Sequence, residues 1–459
     1  MPLLIPRRHC LAWLGATALP AWSTPGAASD RLAQASAIQL PTMALRERRL
    51  ANGLQVVSVA NRLSSAVSVQ VWYRVGGKDD PAGRSGFAHL FEHMMFKRTR
   101  HMPDEMFDRL TEDVGGQNNA FTAEDMTAYQ SEVPSNHLER LLWAEAERLA
   151  NLQVDQRNFD SERKVVIEEL RQRVLADPYG RLYNALPQYG YEQHPYKRPV
   201  IGSEAELNAA TLDDVQRFHS TYYRPDNALL IVVGDVDAAQ LDGWVDRYFG
   251  RLSAPATAIP RVNVQELPRQ RDARVSVSAP KVPLPAVALV WKAPPARHAD
   301  AAALQVASAL LSAGESSRLN EALVYRAQAA QAASSSADLN ADAGLFVAYA
   351  IAANGQRTAR LETMLLAELQ RLASAAIAPA ELDKVRTQLL TAALLSRQTP
   401  QGQAQAIGQA VLLHGDVNEA DRGLQRLQAV SAADVQRVLK TWVLGTHRMT
   451  ITYSQGAGA

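Results

Sequence analysis

The sequence predicts two homologous α+β domains, and three observations carry that prediction. The chain has 459 residues, about three times the usual domain length of roughly 150 residues, which excludes a single small domain. Hydrophobic residues make up 47% and charged residues 21%, too apolar for disorder and enough to bury a large core. The pattern also restarts. Val-Gln-Val-Trp ending at Trp72 is echoed by Ala-Leu-Val-Trp ending at Trp291. Thr211-Leu-Asp-Asp-Val-Gln-Arg217 is echoed by Ser431-Ala-Ala-Asp-Val-Gln-Arg437, at an offset that differs from the first by a single position. Two echoes of nearly equal offset at opposite ends of a unit describe a duplication, with about 210 residues per copy.

In chain order, residues 1–28 read as a secretory signal. Arg7 and Arg8 precede an apolar stretch over residues 10–22 that is too short for a stable bilayer span, and Gly26, Ala27 and Ala28 close it. Arg7-Arg8-His9-Cys10-Leu11 matches the twin-arginine route only loosely. A periplasmic or secreted protein is expected. Cleavage removes two arginines and the single cysteine, Cys10, leaving 46 basic against 47 acidic residues. Without cysteine no disulfide and no thiolate cluster forms, so any metal is held by histidine and carboxylate. The near-neutral charge, with no long run of one sign, argues against nucleic acid as a partner. No later stretch approaches 18 uninterrupted apolar residues, so no membrane anchor is expected.

The first domain is expected over residues 45–252. Asn52-Gly53 beside alternating apolar positions signals a hairpin, so the domain opens with antiparallel strands. Helical periodicity follows over residues 86–94, 104–114, 135–152 and 160–174, and residues 228–233 form a short apolar strand. Residues 253–274, with Pro255, Pro260 and Pro268, carry no clear period and read as a linker. The second domain is expected over residues 275–455. Thr211 and Ser431 each stand three residues before an Asp at a helix start, which suits N-capping.

The sharpest local feature is His89-Leu90-Phe91-Glu92-His93. On a helix, positions 89 and 93 share one face one turn apart, so two imidazoles can reach one ion. Glu92 lies beside them, placed for a carboxylate that takes a proton from the attacking water. With ten histidines in the chain, the pattern should arise by chance about 0.01 times in such a sequence. The order is the inverted-zincin signature. Catalytic zinc takes three protein ligands and keeps one open position, so a third ligand is needed. The helix beginning near Asp160 offers Glu162, Glu168 and Glu169. Glu162 and Glu169 lie two turns apart on nearly the same face, with Glu168 pointing elsewhere, which suggests that one binds metal and the other orients a histidine. Spacing alone does not rank the two.

At these residues the chain resembles the pitrilysin, insulin-degrading enzyme and mitochondrial processing peptidase family of inverted zinc metallopeptidases. The resemblance runs through Leu50-Ala-Asn-Gly-Leu54, Gly86-Phe-Ala-His-Leu-Phe-Glu-His93 with Phe96, Asn119-Ala-Phe-Thr122, and Glu162-Arg-Lys-Val-Val-Ile-Glu-Glu169. It continues through His194-Pro-Tyr196, Ile201-Gly202 and Phe218-His-Ser-Thr-Tyr-Tyr-Arg-Pro-Asp-Asn227 to Gly234-Asp235. The family's third ligand follows its second histidine at the separation that Glu169 has from His93. The resemblance therefore implies Zn2+ held by His89, His93 and Glu169, with Glu162 as accessory carboxylate and Glu92 as general base. It implies domains each built as an antiparallel sheet with helices on one face, two of them forming half of a clamshell around a peptide substrate. Asn119, Ala120, Phe121 and Thr122 resemble the edge strand to which the family adds a peptide, with Thr127 and Tyr129 continuing the pattern.

Two departures stand out. Arg98 replaces the Gly usual after the helix, which is expected to affect a loop. In the second copy the metal positions fall near Ser308, Leu311 and Ser312, none of them a ligand. Family members also carry in that domain an Arg and, seven positions later, a Tyr that stabilise the oxyanion. Matching Ser316-Ser-Arg-Leu319 to the family motif puts Val324 and Gln331 there, while Tyr325 and Arg326 are adjacent and face different sides of a helix. The resemblance thus implies a zinc endopeptidase for peptides or unfolded polypeptides, paired with a related subunit that carries the Arg and Tyr. The alternatives are a gapped alignment in which Arg326 serves, a weak enzyme without the pair, a homodimer, and a non-catalytic structural or peptide-binding subunit of the same fold.

Overall fold

The computed structural model describes residues 38–456, so the signal segment and Cys10 lie outside the described residues. The first sheet comprises β1 (Arg46–Arg49), β2 (Gln55–Ala60), β3 (Ala66–Tyr73), β4 (Gln117–Thr122), β5 (Thr127–Pro134) and β6 (Ala228–Gly234) in the order β1-β2-β6-β3-β5-β4. The second comprises β7 (Ala273–Ala279), β8 (Ala286–Ala293), β9 (Ala330–Leu339), β10 (Gly344–Ala352) and β11 (Met449–Gln455) in the order β7-β11-β8-β10-β9. With β1 set aside, the two orders are the same, and β3 and β8, which carry Trp72 and Trp291, hold the same central place. Each sheet is antiparallel except for one parallel pair, β2 with β6 and β7 with β11. The last strand of each half returns through helices to lie beside the first, a connection long enough to allow parallel pairing.

Local chemistry explains where the elements begin. Leu50 and Leu54 close the turn between β1 and β2 through a backbone bond, and Gly53 takes φ +89°, where a Cβ would also meet Asp226 at 2.6 Å. The Asn52 amide reaches the carbonyls of Phe249 and Leu252. Thr211 with Asp214 and Ser431 with Asp434 form capping boxes at the two echoed helix starts. The helix expected from residue 160 begins at Gln156, because Asp155 caps it by accepting from Asn158 N, and it widens into a π turn over Arg171–Leu175. The expected helices at 104–114 and 135–152 are Met106–Glu112 and Leu138–Asn151.

The central strand β6 is buried along its whole length, and this is why it reads as an unbroken apolar run: both its faces are covered. On one face, helices of the same half pack Phe91, Leu142, Val215 and Val245 against Val67, Val69 and Val71. The opposite face is closed by a helix of the other half. Pro400–Gln409 lays Ala404 and Ile407 on Val57, Trp72 and Ile231 of the first sheet. Reciprocally, Gly180–Gly190 lays Leu182 and Ala185 on Ala288, Val290 and Ile451 of the second. Small residues allow this approach, since a Cβ added at Gly408 would lie 2.2 Å from the Trp72 ring.

Residues 253–272 carry no helix or strand, yet the segment is tethered. The Glu266 carboxylate accepts from the N–H groups of Glu192, Gln193 and His194 and pairs with Lys292. Arg269 donates to the carbonyls of Tyr189 and Gly190. Among the described residues no helix is long and apolar enough to cross a membrane.

Candidate metal centre

His89, Glu92 and His93 ride on the helix Phe87–Met94, whose start has no side-chain cap of its own. Gly86 there takes φ +92°, and its Cα side is so close to Gly202 and the Ile201 carbonyl that a Cβ would sit 2.9 Å from each. The Ile201-Gly202 pair thus serves to let two backbones cross. Asp80 does the capping from upstream, accepting from Gly86 N at 2.7 Å and Ala88 N at 2.8 Å. Burial pushes its carboxyl up to about 7 despite those two bonds, and a carboxylate here complements the positive end of the helix.

Glu169 and Glu162 project from Gln156–Leu170, the helix alongside. One Glu169 oxygen, Oε2, faces both histidines, 3.6 Å from His89 Nε2 and 3.3 Å from His93 Nε2. Ligand atoms around a tetrahedral ion with bonds of about 2.0–2.1 Å lie roughly 3.3–3.4 Å apart, so the spacing suits zinc. Among the described residues this is the one group of three His, Cys, Asp or Glu side chains whose ligand atoms all fall within 4.8 Å of one another. The other Glu169 oxygen is held by Arg173 at 2.6 Å. Glu162 Oε2 stands 3.6 Å from His93 Nδ1, and Lys97 Nζ holds Oε1 at 2.7 Å. Geometry therefore divides the two carboxylates that spacing left unranked. Glu168 is outside the cluster, bonded to Gln172.

The electrostatics agree with a ligand set. Burial, then His93 and Arg173, pull the His89 pKa down to about 3, so its imidazole is neutral with a lone pair available at neutral pH. His89 Nδ1 is buried without a protein partner, whereas His93 Nδ1 has Glu162. Burial works against the charged form of His93, but Glu162, Glu92 and Glu169 together raise its pKa. Burial also raises the pKa of Glu92 from its ordinary value, opposed by a bond from Thr122. That bond runs from Thr122 Oγ1 to Glu92 Oε2 at 2.6 Å. These donors, two neutral-capable imidazoles and one carboxylate, fit zinc.

β4, carrying Asn119, Ala120, Phe121 and Thr122, is an edge strand paired only with β5. Thr127 and Tyr129 do not continue it: they lie on β5, both fully buried, because the chain turns at residues 123–126. Arg98 shapes the loop after the helix, with its N–H bonded to Asp104 and its guanidinium to Asp155. Ser308, Leu311 and Ser312 lie on Ala301–Ser312. Val324 lies on the π turn Asn320–Arg326 and Gln331 on β9, while Arg326 pairs with Glu321 and Arg318 with Glu381. Asp80, Lys97, Arg173 and the Thr122 hydroxyl bond were missed from sequence. Only Arg173 left a signal there, one helical turn beyond Glu169.

Residues 55–204 match the family described as Insulinase (Peptidase family M16), and residues 209–389 match its companion, the Peptidase M16 inactive domain. The zinc protease PqqE of Helicobacter pylori is 36% identical over 341 residues, covering 73% of this chain and 76% of that one. The chain belongs to peptidase family M16. Another member, an uncharacterized zinc protease of Mycobacterium tuberculosis, is 29% identical over 409 residues, 87% of this chain and 91% of that one. Among solved structures, a protease from Helicobacter pylori superposes with TM-score 0.86 at 30% identity, over 90% of this M16 chain and 100% of that one. The periplasmic protease PqqL of Escherichia coli shares the fold at TM-score 0.73 and 19% identity, over 92% of this chain and 48% of its own.

Proposed function

We propose that this chain is an exported zinc endopeptidase that hydrolyses peptides or unfolded polypeptides. His89, His93 and Glu169 are the ligands and Glu92 the general base. The observation that carries the reading is the convergence of both histidine Nε2 atoms on a single Glu169 oxygen with Glu92 held beside them. Zinc, when bound there, supplies positive charge that acidifies water and polarises the scissile carbonyl. Glu92 takes the proton of the attacking water and returns it to the leaving amine. Glu162 orients His93 through Nδ1, and Arg173 holds the outer oxygen of Glu169 so that the inner one faces the histidines. The open edge of β4 receives the peptide as a further strand, which places its backbone before reaction.

An oxyanion donor is still required on the far side of the substrate. Val324 offers no donor and Gln331 only an uncharged amide in place of the Arg and Tyr that the resemblance implies, and Arg318 and Arg326 are engaged with carboxylates. We infer that a related subunit supplies it. The protein named "Probable mitochondrial-processing peptidase subunit beta, mitochondrial" of Arabidopsis thaliana, 25% identical over 406 residues, 87% of this chain and 76% of that one, supports a paired arrangement. Export rests on the signal read over residues 1–28.

The test is zinc content together with hydrolysis of an unfolded peptide, for the wild type and Glu92→Gln, each with and without the related chain. Both proteins should carry one zinc. Only the wild type should cleave, and more quickly with its partner. Zinc bound with no cleavage in any pairing would instead identify a peptide-binding subunit.

A further inference from the structure

Thr122 occupies an unusual position, the last residue of the open edge strand and the side chain that touches the base. The Ala123 N–H donates to the Met126 carbonyl at 2.8 Å, making residues 123 and 126 a hydrogen-bonded pair. The register pairs Thr122 with Thr127 and Ala120 with Tyr129. Hydrogen-bonded pairs alternate along an antiparallel ladder, so the N–H and C=O of Thr122 and Ala120 point away from β5, towards the open edge. Consistent with that, the Ala120 N–H is covered by its neighbour's side chain, donating to Asn119 Oδ1 at 2.9 Å. A peptide added to this edge therefore bonds to the backbone of Thr122 while the Thr122 hydroxyl donates to Glu92 Oε2 at 2.6 Å. A hydroxyl bonded to a carboxylate at this distance is a strong, directional contact. It ties up one oxygen of Glu92 and leaves Oε1 for the water.

We propose that Thr122 is a positioning residue that couples capture of the peptide strand to the setting of the general base. The inference rests on the zinc-peptidase reading and adds to it a link between substrate edge and base. Without the hydroxyl, the carboxylate is free to rotate, and the water it must deprotonate is no longer held in line.

The experiment compares Thr122→Val, which keeps the branched shape and removes the hydroxyl, with Thr122→Ser, which keeps the hydroxyl, in the zinc-loaded protein with its related subunit. Thr122→Val should lower kcat about tenfold or more with KM within about threefold and zinc content unchanged, as a misplaced catalytic group does. Thr122→Ser should recover kcat to within about threefold of wild type by the same argument. A wild-type kcat in Thr122→Val, or an equal fall in Thr122→Ser, overturns the proposal. A double-mutant cycle of Thr122→Val with Glu92→Ala, read as urea unfolding midpoints of the metal-free chain, gives a measure independent of turnover. Non-additive shifts are expected, and additive ones overturn the coupling. If the wild type itself cleaves nothing, the zinc-peptidase reading fails, and the cycle still decides whether Thr122 holds Glu92.

Discussion

His89 and His93 look equivalent in sequence but are supported differently. His93 has Glu162 behind its Nδ1, and Glu162 is in turn fixed by Lys97, whereas His89 Nδ1 has no protein partner. Replacing Glu162 with Gln should therefore weaken zinc binding about 10- to 100-fold, the usual cost of losing such a support. Chelator competition would read this, and an unchanged affinity would remove Glu162 from the site. His219 illustrates burial without a ligand role. It stacks on Phe91, centroids 5.0 Å apart, and burial pulls its pKa from 6.5 to about 4. Because the folded value lies below the unfolded one, the unfolded chain binds more protons between these limits. The contribution is complete above pH 6.5 and is lost as pH falls towards 4. His219→Phe should lose less stability than wild type between pH 7 and pH 5 when urea midpoints of the metal-free proteins are compared; equal losses would contradict the assignment. At this scale the nearness of His89 to His93 was legible because a one-turn spacing on a helix forces two side chains to one side. Asp80 and Lys97 were not, since each acts through a loop path that spacing does not describe.

The helices exchanged between halves show the same limit at the scale of elements. Periodicity tells that a helix has an apolar face, but not which sheet will cover it, so the packing of Pro400–Gln409 on Trp72 had no sequence signal. The duplication was legible because it repeats the whole order of strands, and its echoes at Trp72 and Trp291 fall on β3 and β8. The parallel pair within each sheet was not, because pairing direction depends on the path of a chain between distant strands. Gly408 tests the exchange. Its missing Cβ leaves room for the buried Trp72 ring, which would otherwise stand 2.2 Å away. Gly408→Ala should cost about 1–3 kcal/mol by overpacking. Thermal unfolding would show it as a lower Tm, and a Tm at or above wild type would mean that the helix does not pack as described. The ligand helix depends on its remote cap in the same way. Asp80→Asn keeps the shape but puts an NH2 where one oxygen accepts from Gly86 N or Ala88 N, and should lower stability by about 1–3 kcal/mol through the N–H left unbonded, read as a lower Tm; an unchanged Tm would remove Asp80 as the cap.

For the whole molecule, the two sheets share one topology, while among the described residues the group of side chains that could hold a metal lies in the first half, and Val324 and Gln331 stand at the positions where the resemblance places an Arg and a Tyr. This division is what the proposal of a related subunit that supplies the oxyanion donor rests on. The central claim is that His89, His93 and Glu169 form a zinc site that drives hydrolysis. Titrating zinc into the metal-free protein, with its related subunit present and cleavage of an unfolded peptide followed throughout, tests it most directly. Activity should rise in proportion to added zinc, level off at one equivalent, and not appear in Glu169→Gln. Cleavage that is indifferent to zinc, or that survives in Glu169→Gln with the same zinc dependence, would contradict the account.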